Sequence, residues 1–391
     1  MKFRQKKKLL KQLECIEDFR QHKEQIVYPL SEILFVSLFG LLKGYLDFKD
    51  LYTYFKFNKN NKLLKKLFKT DKIRVPCKST FHRILSNVSY DGLEIVFRNF
   101  FDKCSKGKHV AIDGKWLNGS DVKGQYLESS HKSVLHILDK DSKTVLGHKF
   151  MEKGKLSEIP AMNEILADKT FSNTGQIYTM DALHTQTETL NTINDNDEYF
   201  LAKVKGNQKL LKNKLISTIN IFHKPTATYT SPLWQSEGNK SVTRTVDIFQ
   251  NLDSNIVMFH EDFKNIQTIV RVTKETINLI SGEVKITTQY LVANFKDKTP
   301  HQFHDMILAH WRVETFHYHK DMLTAEDNHI CYINPFAMTI LRSFVVNLYQ
   351  IYLNNNKNII IDNEIIDKAT MVNIKKVCHH DDKFTSDIFE M

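Results

Sequence analysis

The order of apolar runs between residues 108 and 204 constrains the fold of this chain more than any other feature. Five short runs have a strand-like period, and in chain order they are HVAIDGKWL, SVLHILD, TVLGHKF, QIYTM and EYFLAKV. The polar turn KDSK joins the second and third runs, which predicts a hairpin. Helical patterns in IPAMNEILADK and TQTETLNTIN separate the last three runs. The segment is therefore predicted to fold as β-β-β-α-β-α-β.

This order of elements is the one that a ribonuclease-H-like α/β fold would have. In that fold the first and fourth strands are neighbours in the sheet. Asp113 lies where the first apolar run ends, and Asp181 directly follows the fourth. We therefore expect these two carboxylates to lie close together, although a single aspartate at a strand end is more often a cap or turn residue.

A third carboxylate, Glu314, lies in the stretch HWRVETFHYHKDMLTAEDNH. We place it on the first turns of a helix, just after Trp311 and Arg312. Alone it would most simply be a solvated helix residue. Three carboxylates from separate elements of a basic chain instead suggest a site for divalent metal ions and phosphate.

Phosphodiester chemistry explains why such a site needs carboxylates. Two Mg²⁺ ions about 4 Å apart can activate the attacking oxygen and stabilise the leaving one. Magnesium prefers hard oxygen ligands and keeps several waters, so two or three carboxylates and the phosphate oxygens suffice. The expected cofactor is a pair of Mg²⁺ ions, for which Mn²⁺ substitutes.

Charge and apolar patterning narrow the class of partner. The 391 residues carry a formal net charge of +10 with a pI near 9.1, which favours an anionic partner such as nucleic acid over an acidic membrane. The apolar run from Ile33 to Leu42 is about half as long as a bilayer span requires. Arg342 and Asn347 interrupt the longer one near the C-terminus. We read both as buried helices of a soluble protein.

Cysteine usage and the N-terminus indicate a cytoplasmic protein. The five cysteines are far apart, with no spacing typical of a zinc module or a disulfide framework. The basic N-terminus is not followed by an apolar region with a cleavage site, so we expect no secretion signal.

Composition shifts divide the chain into five segments. These are a helical N-terminal domain (1–105), the first part of the catalytic core (106–210), a β-rich insertion (211–299), the second part of the core (300–352) and a C-terminal tail (353–391). The tail is rich in Asn, Asp, Ile and Lys, and we expect it to be partly ordered at best. The lysine-rich stretch from Lys56 to Arg74 is either a phosphate-facing surface or a solvated helix face.

Eight short segments, in order, resemble a known family: YPLSEIL, STFHR, AIDGK, KLSEIPA, MDALHTQ, AKVKGNQ, HWRVE and AED. The chain resembles a DDE transposase of bacterial insertion sequences, in the group that includes the H-repeat-associated proteins. The resemblance covers roughly residues 18 to 350. It implies that Asp113, Asp181 and Glu314 are the catalytic metal ligands. The implied fold is ribonuclease-H-like with a β-rich insertion behind an N-terminal helical domain.

The matched segments also supply candidates for DNA contact, which are Lys115, Gln186, Lys205, Asn207, Gln208, Arg312 and Lys320. The KGNQ segment also has a simpler reading as an ordinary strand-ending turn, and for Trp311 we favour a core position over base stacking. Two departures from the family pattern are Asn118 and Thr315, where the family often has Arg and Asn. In related transposases a lysine follows the glutamate by two turns. That slot holds Asp321 here, with Lys320 beside it.

A zinc site built from His310, His317 and His319 is the alternative for this region, but the spacing lacks an HExxH pattern or a cysteine partner. The function implied by the resemblance is cut-and-paste transposition: hydrolysis of a strand at the element end, followed by attack of the freed 3′-OH on target DNA. The expected partner is double-stranded DNA, bound by a homodimer. A structure-selective nuclease on the same fold and a catalytically inactive DNA-binding descendant are the alternatives.

Overall fold

The computed structural model describes residues 4–102, 108–117, 132–151, 158–168, 175–236, 239–250, 263, 265–328, 333–362 and 364–390. The chain divides into two compact units. Unit 1 contains residues 1–106, 114–157 and 314–391, and unit 2 contains residues 107–113 and 158–313. Asn118, at which the family pattern is broken, lies outside the described residues.

The helices are α1 Arg4–Glu14, α2 Leu30–Leu42, α3 Phe48–Phe57, α4 Lys62–Phe68, α5 Lys78–Asn87, α6 Tyr90–Phe101, α7 Glu158–Ala167, α8 Thr187–Asp195, α9 Lys209–Phe222, α10 Pro300–Thr324, α11 Pro335–Asn355, α12 Met371–His380 and α13 Asp382–Ile388. The strands are β1 His109–Trp116, β2 Ser133–Asp139, β3 Val145–Met151, β4 Ile177–Met180, β5 Tyr199–Val204, β6 Ala227–Thr230, β7 Trp234–Ser236, β8 Lys240–Phe249, β9 Thr268–Asn278, β10 Val284–Ala293, β11 Asn358–Ile361 and β12 Glu364–Lys368.

Unit 2 is built on a mixed sheet in the order β1-β4-β5-β10-β9-β8-β6, with β7 paired to β8. Strands β1, β4 and β5 are parallel, and Ile112 of β1 is opposite Met180 of β4. This confirms the prediction that the first and fourth strands are neighbours. The predicted hairpin is also confirmed, because β2 and β3 of unit 1 pair as antiparallel strands.

The predicted β-rich insertion begins later than expected. Residues Lys209–Phe222 form α9, and the strands start only at Ala227. Leu211, Leu215 and Ile219 recur every four residues and are buried, which is the period of an amphipathic helix. Strand β10 pairs with β5 in antiparallel fashion, so the insertion extends the sheet of unit 2 instead of forming a separate one.

Helix α10 covers part of this sheet. Its Phe303, Met306 and Ile307 are buried in one apolar cluster with Val246 and Val270 of the sheet. The helix has 25 residues and begins at Pro300, so Glu314 lies near its middle. The prediction that Glu314 lies on the first turns of a helix is therefore wrong, because proline begins the helix well upstream.

The core of unit 1 contains two apolar helices. Helix α2 has Pro29 before its first residue, and Gly44 follows it with φ +88°, as expected from the sequence. Helix α11 is long and apolar enough to span a membrane by composition, but 83% of its most apolar window is buried within the protein. The prediction that α11 is a buried helix is confirmed.

The C-terminal segment is more ordered than predicted. Its described residues form the β11–β12 hairpin and helices α12 and α13. The Phe389 ring stacks on Phe35 of α2 at 5.4 Å between centroids, and Asp382 forms a 2.6 Å ion pair with Lys43. The polar composition of residues 353–391 therefore did not reveal that Phe389 and Asp382 attach this segment to α2 and to the residue after it.

Candidate active site

Two of the three candidate carboxylates extend from neighbouring strands of unit 2. Asp113 follows Ile112 on β1, Asp181 follows Met180 on β4, and Ile112 and Met180 are directly opposite each other. Neighbouring strands lie about 4.8 Å apart, so Asp113, in the middle of β1, and Asp181, directly after β4, are adjacent across the two strands. Both residues are half-buried. Asp181 flanks a 3-10 turn, but its side chain does not cap that turn.

The carboxylate of Asp181 is surrounded by hydrogen-bond donors and cations. The Lys205 Nζ lies 3.0 Å from its Oδ2, and the Lys203 Nζ lies 3.8 Å from its Oδ1. Partial burial raises the pKa of Asp181. The backbone amide of Ala182 and the two lysines outweigh that effect and hold the pKa below its usual range. The side chain is therefore an anion at neutral pH.

The KGNQ segment after β5 folds against the residues that follow Asp181. Asn207 donates to the carbonyl of Ala182 at 2.8 Å, and Gln208 donates to the carbonyl of Thr185 at 2.6 Å. Gln186 donates to the carbonyl of Leu183 at 2.9 Å. These amides hold the turn after Asp181, a role that the sequence did not indicate.

Two histidines of unit 2, buried His184 and half-buried His310, lie near Asp181. Burial lowers the pKa of both His184 and His310 to about 4, and the charge of Asp181 only partly opposes this effect. Both imidazoles are therefore neutral at pH 7. His184 is not among the site residues predicted from the sequence, although it lies three residues after Asp181 within the matched MDALHTQ segment.

The third carboxylate, Glu314, belongs to unit 1 and is exposed on α10. Arg312 and Trp311 precede it on the same helix, and both are half-buried. The indole ring of Trp311 lies 4.8 Å from the guanidinium carbon of Arg244. Half-buried Trp311 therefore also makes a cation–π contact with Arg244.

A network of charged side chains in unit 1 corrects two of the predicted DNA contacts. Lys115 is 9% exposed, and its Nζ lies 2.9 Å from Asp321 and 3.2 Å from Asp327. Lys320 is completely buried and forms a 3.2 Å ion pair with Glu326. Because carboxylates already engage these buried ammonium groups, neither lysine presents a free charge to phosphate.

The AED segment contributes Glu326 to this network. Glu326 is the carboxylate partner of Lys320, and Thr339 of α11 hydrogen-bonds both side chains. Burial raises the pKa of Glu326, but Lys320 and Arg342 lower it below the usual range. Burial lowers the pKa of Lys320 to about 8 against the opposing effect of Glu326. Both partners are therefore charged at pH 7.

The histidines of α10 belong partly to the same network. The Nε2 of His317 lies 3.0 Å from the Nδ1 of His136 on β2. Burial lowers the pKa of His317 to about 3, with further lowering by Lys115 and Lys320. Both imidazoles are neutral at pH 7, since burial also holds the pKa of His136 well below its usual value.

The donor set fits a hard divalent cation with few protein ligands. Among the described residues, no group of three or more His, Cys, Asp or Glu side chains lies close enough together to hold a metal ion. Asp113 and Asp181 offer only oxygen donors, and the carboxylate of Asp181 already attracts two ammonium groups. Magnesium is commonly held by one or two carboxylates and substrate phosphates, so this pair suits it better than it suits zinc.

Comparisons with known proteins match most of the chain. The model of the family described as "Transposase DDE domain" matches residues 104–348, and that of the "DDE_Tnp_1-associated" family matches residues 10–101. The chain is 26% identical over 326 residues to "Putative transposase YncI" of Escherichia coli O157:H7, covering 82% of this chain and 80% of that protein. It is 24% identical over 331 residues to "Putative protein YbfL" of Escherichia coli K12, covering 82% and 84%.

One solved structure aligns with this chain over most of the length of both proteins. The cryo-EM structure of a piggyBac transposase synaptic complex with hairpin DNA aligns with 98% of this chain and 78% of that chain, at 9% identity and a TM-score of 0.42.

Proposed function

We propose that this chain, which belongs to the Transposase DDE domain family, cuts and joins DNA with divalent metal ions held by Asp113, Asp181 and Glu314. The protein is a DDE transposase of the kind found in bacterial insertion sequences, and DNA cleavage with strand transfer is the general activity of its family. The proposal adds which side chains hold the metal and that the metal is Mg²⁺.

One observation carries the assignment of the first two ligands. The register that puts Ile112 opposite Met180 supports neighbouring positions for the next residues, Asp113 within β1 and Asp181 directly after β4. Glu314 is assigned only by its place in the HWRVE segment, which resembles the family's glutamate motif, because no group of three such side chains lies close together among the described residues. Its exposure on α10 leaves the carboxylate accessible to a ligand.

The chain's own residues prepare the site electrostatically. Bound Mg²⁺ would activate the attacking oxygen and stabilise the charge on the leaving oxygen. Asp181 stays deprotonated at neutral pH because of its neighbouring donors and cations, so it is ready to ligate. Lys203 and Lys205 balance its charge when no metal is bound. The amides of Asn207 and Gln208 fix the backbone that follows Asp181.

The fold proposed for this chemistry is ribonuclease-H-like. Its parts are a catalytic core in residues 106–210 and 300–352, an insertion that supplies strands β6 to β10, an N-terminal helical domain in residues 1–105 and a C-terminal segment in residues 353–391. The order β1-β4-β5 with parallel pairing supports this proposal.

DNA phosphate contacts are proposed for five matched residues, namely Gln186, Lys205, Asn207, Gln208 and Arg312. Lys205 and Asn207 are exposed, and a side chain at Gly206 would meet nothing within 4 Å. The packing of unit 2 therefore does not require a glycine there, and a close approach by the DNA backbone would. We also propose that the protein acts in the cytoplasm as a homodimer, since joining two element ends needs two active sites.

Incubation with a supercoiled plasmid carrying both ends of the element tests this function. With Mg²⁺ we expect excision of the element and covalent joining of its 3′ ends to target DNA, and with EDTA we expect neither product. Gel electrophoresis and sequencing of the junctions would measure both steps. Cleavage without joined products would indicate a nuclease, and binding without cleavage would indicate an inactive descendant. Either result would overturn the proposal.

A further inference from the structure

One face of strands β8 and β9, in the sheet of unit 2, carries two like charges directly opposite each other. Arg244 of β8 is directly opposite Lys274 of β9, so their side chains point to the same face. Like charges at opposed positions of an antiparallel pair destabilise a sheet. An anion bound to both side chains would compensate their repulsion.

The other face of the same two strands provides a contrast. There Asp247 of β8 is directly opposite Arg271 of β9, and the two form a 2.8 Å ion pair. Arg244 and Lys274 have no carboxylate partner within ion-pair distance in the part of the chain that the structure describes. The sheet therefore pairs charges of opposite sign on one face and leaves charges of one sign together on the other.

Two more cations extend this face along the strands. Lys240 is four residues from Arg244 on β8, and Lys285 is opposite Thr276, two residues from Lys274. Both are exposed. Burial lowers the pKa of Lys274, and the charges of Arg244, Lys240 and Lys285 lower it further. The four positive charges are thus close enough to affect one another.

Trp311 lies where this face changes from apolar to basic. Beside it the same face is apolar, and Val246 and Val272 lie in the cluster formed with Phe303 of α10. Past Trp311 the face is basic. The indole ring lies 4.8 Å from the guanidinium carbon of Arg244 and 5.9 Å from the ammonium of Lys274, distances at which a ring attracts a cation.

We propose that this basic face, formed by Lys240, Arg244, Lys274 and Lys285 beside Trp311, binds the phosphate backbone of DNA. The inference rests on the proposed function, to which it adds a binding surface. Four residues along a strand span about 13 Å. At roughly one phosphate per 3.4 Å of each DNA strand, that distance covers several phosphates. Cations in a row suit a repeating polyanion, and the repulsion between Arg244 and Lys274 is relieved when phosphate binds.

The test is the salt dependence of DNA binding by the double variant Arg244→Gln/Lys274→Gln. Fluorescence anisotropy of a labelled duplex carrying the element end, measured in EDTA, reports binding without cleavage. We expect affinity at physiological salt to fall roughly tenfold or more. The slope of log affinity against log salt should fall by about 2, because two phosphate contacts are lost.

A matched control removes the same charge elsewhere in unit 2. Lys214 and Lys224 are exposed on and just after α9, so Lys214→Gln/Lys224→Gln should leave the slope unchanged. An equal loss of slope in the control, or an unchanged slope in the Arg244→Gln/Lys274→Gln variant, would overturn the proposal. An acidic protein partner in place of DNA would also give an unchanged slope.

Thermal unfolding separates binding from structural support. Lys274→Gln removes a repulsion, so its melting temperature should equal or exceed that of the wild type while DNA affinity falls. A lower melting temperature together with unchanged affinity would mean that Lys274 only supports Trp311, and would overturn the proposal. Because these measurements need no metal, they can succeed even if the proposed cleavage chemistry fails.

Discussion

Replacing Asp113 or Asp181 with Asn should reduce DNA cleavage by about a thousandfold or more, which corresponds to about 4 kcal/mol of lost transition-state stabilisation. The amide has nearly the same shape as the carboxylate but carries no charge, so it binds Mg²⁺ poorly. The measurement is the single-turnover rate of strand cleavage on a labelled duplex carrying one element end.

The control for this prediction is Asp195→Asn. Asp195 is an exposed aspartate at the end of α8 in the same unit, away from the ends of β1 and β4. Its variant should cleave at the wild-type rate. The melting temperatures of the two active-site variants should stay close to that of the wild type, because the ion pairs of Asp181 are partly exposed. Wild-type cleavage by either variant would contradict the assignment.

Replacing Glu326 with Gln should destabilise the protein by about 3–5 kcal/mol. Lys320 is completely buried, and Glu326 is its carboxylate partner at 3.2 Å. Without that negative charge, Lys320 would either be buried as an uncompensated cation or lose its proton. Urea denaturation followed by circular dichroism would measure the loss.

Two further variants show whether burial is the cause. Asp362→Asn breaks the exposed pair of Asp362 and Lys383, whose 2.8 Å separation is as short but which is open to solvent, and it should have no measurable effect. The double variant Lys320→Met/Glu326→Leu removes both buried charges and should recover most of the stability lost by Glu326→Gln. Equal effects of Glu326→Gln and Asp362→Asn would show that the buried network is not what stabilises unit 1.

The sequence predicted the part of the site that depends on local patterns. Apolar runs of strand length and the helices between them specify β1, β4 and β5, and their order makes β1 and β4 neighbours. Asp113 follows Ile112 and Asp181 follows Met180, so the expected pairing of β1 with β4 also predicts that the two carboxylates lie close together. Helix α2 was predictable for the same reason, since Pro29 and Gly44 mark its two ends.

What the sequence could not predict depends on tertiary contacts. A lysine such as Lys320 is normally exposed, and its burial becomes apparent only when Glu326 and Thr339 are seen beside it. Lys115 pairs with Asp321, which is 206 positions away in the sequence. The opposition of Arg244 and Lys274 follows from the strand register, which composition does not reveal.

The central claim is that the carboxylate of Asp181 holds a metal ion during cleavage, and a change of metal preference tests it most directly. In the Asp181→Cys variant a soft thiolate replaces a hard carboxylate, and thiolates bind Mn²⁺ better than Mg²⁺. We predict that this variant cleaves element-end DNA in Mn²⁺ but not in Mg²⁺, while the wild type uses both. Cleavage by Asp181→Cys in Mg²⁺ at the wild-type rate would contradict the claim.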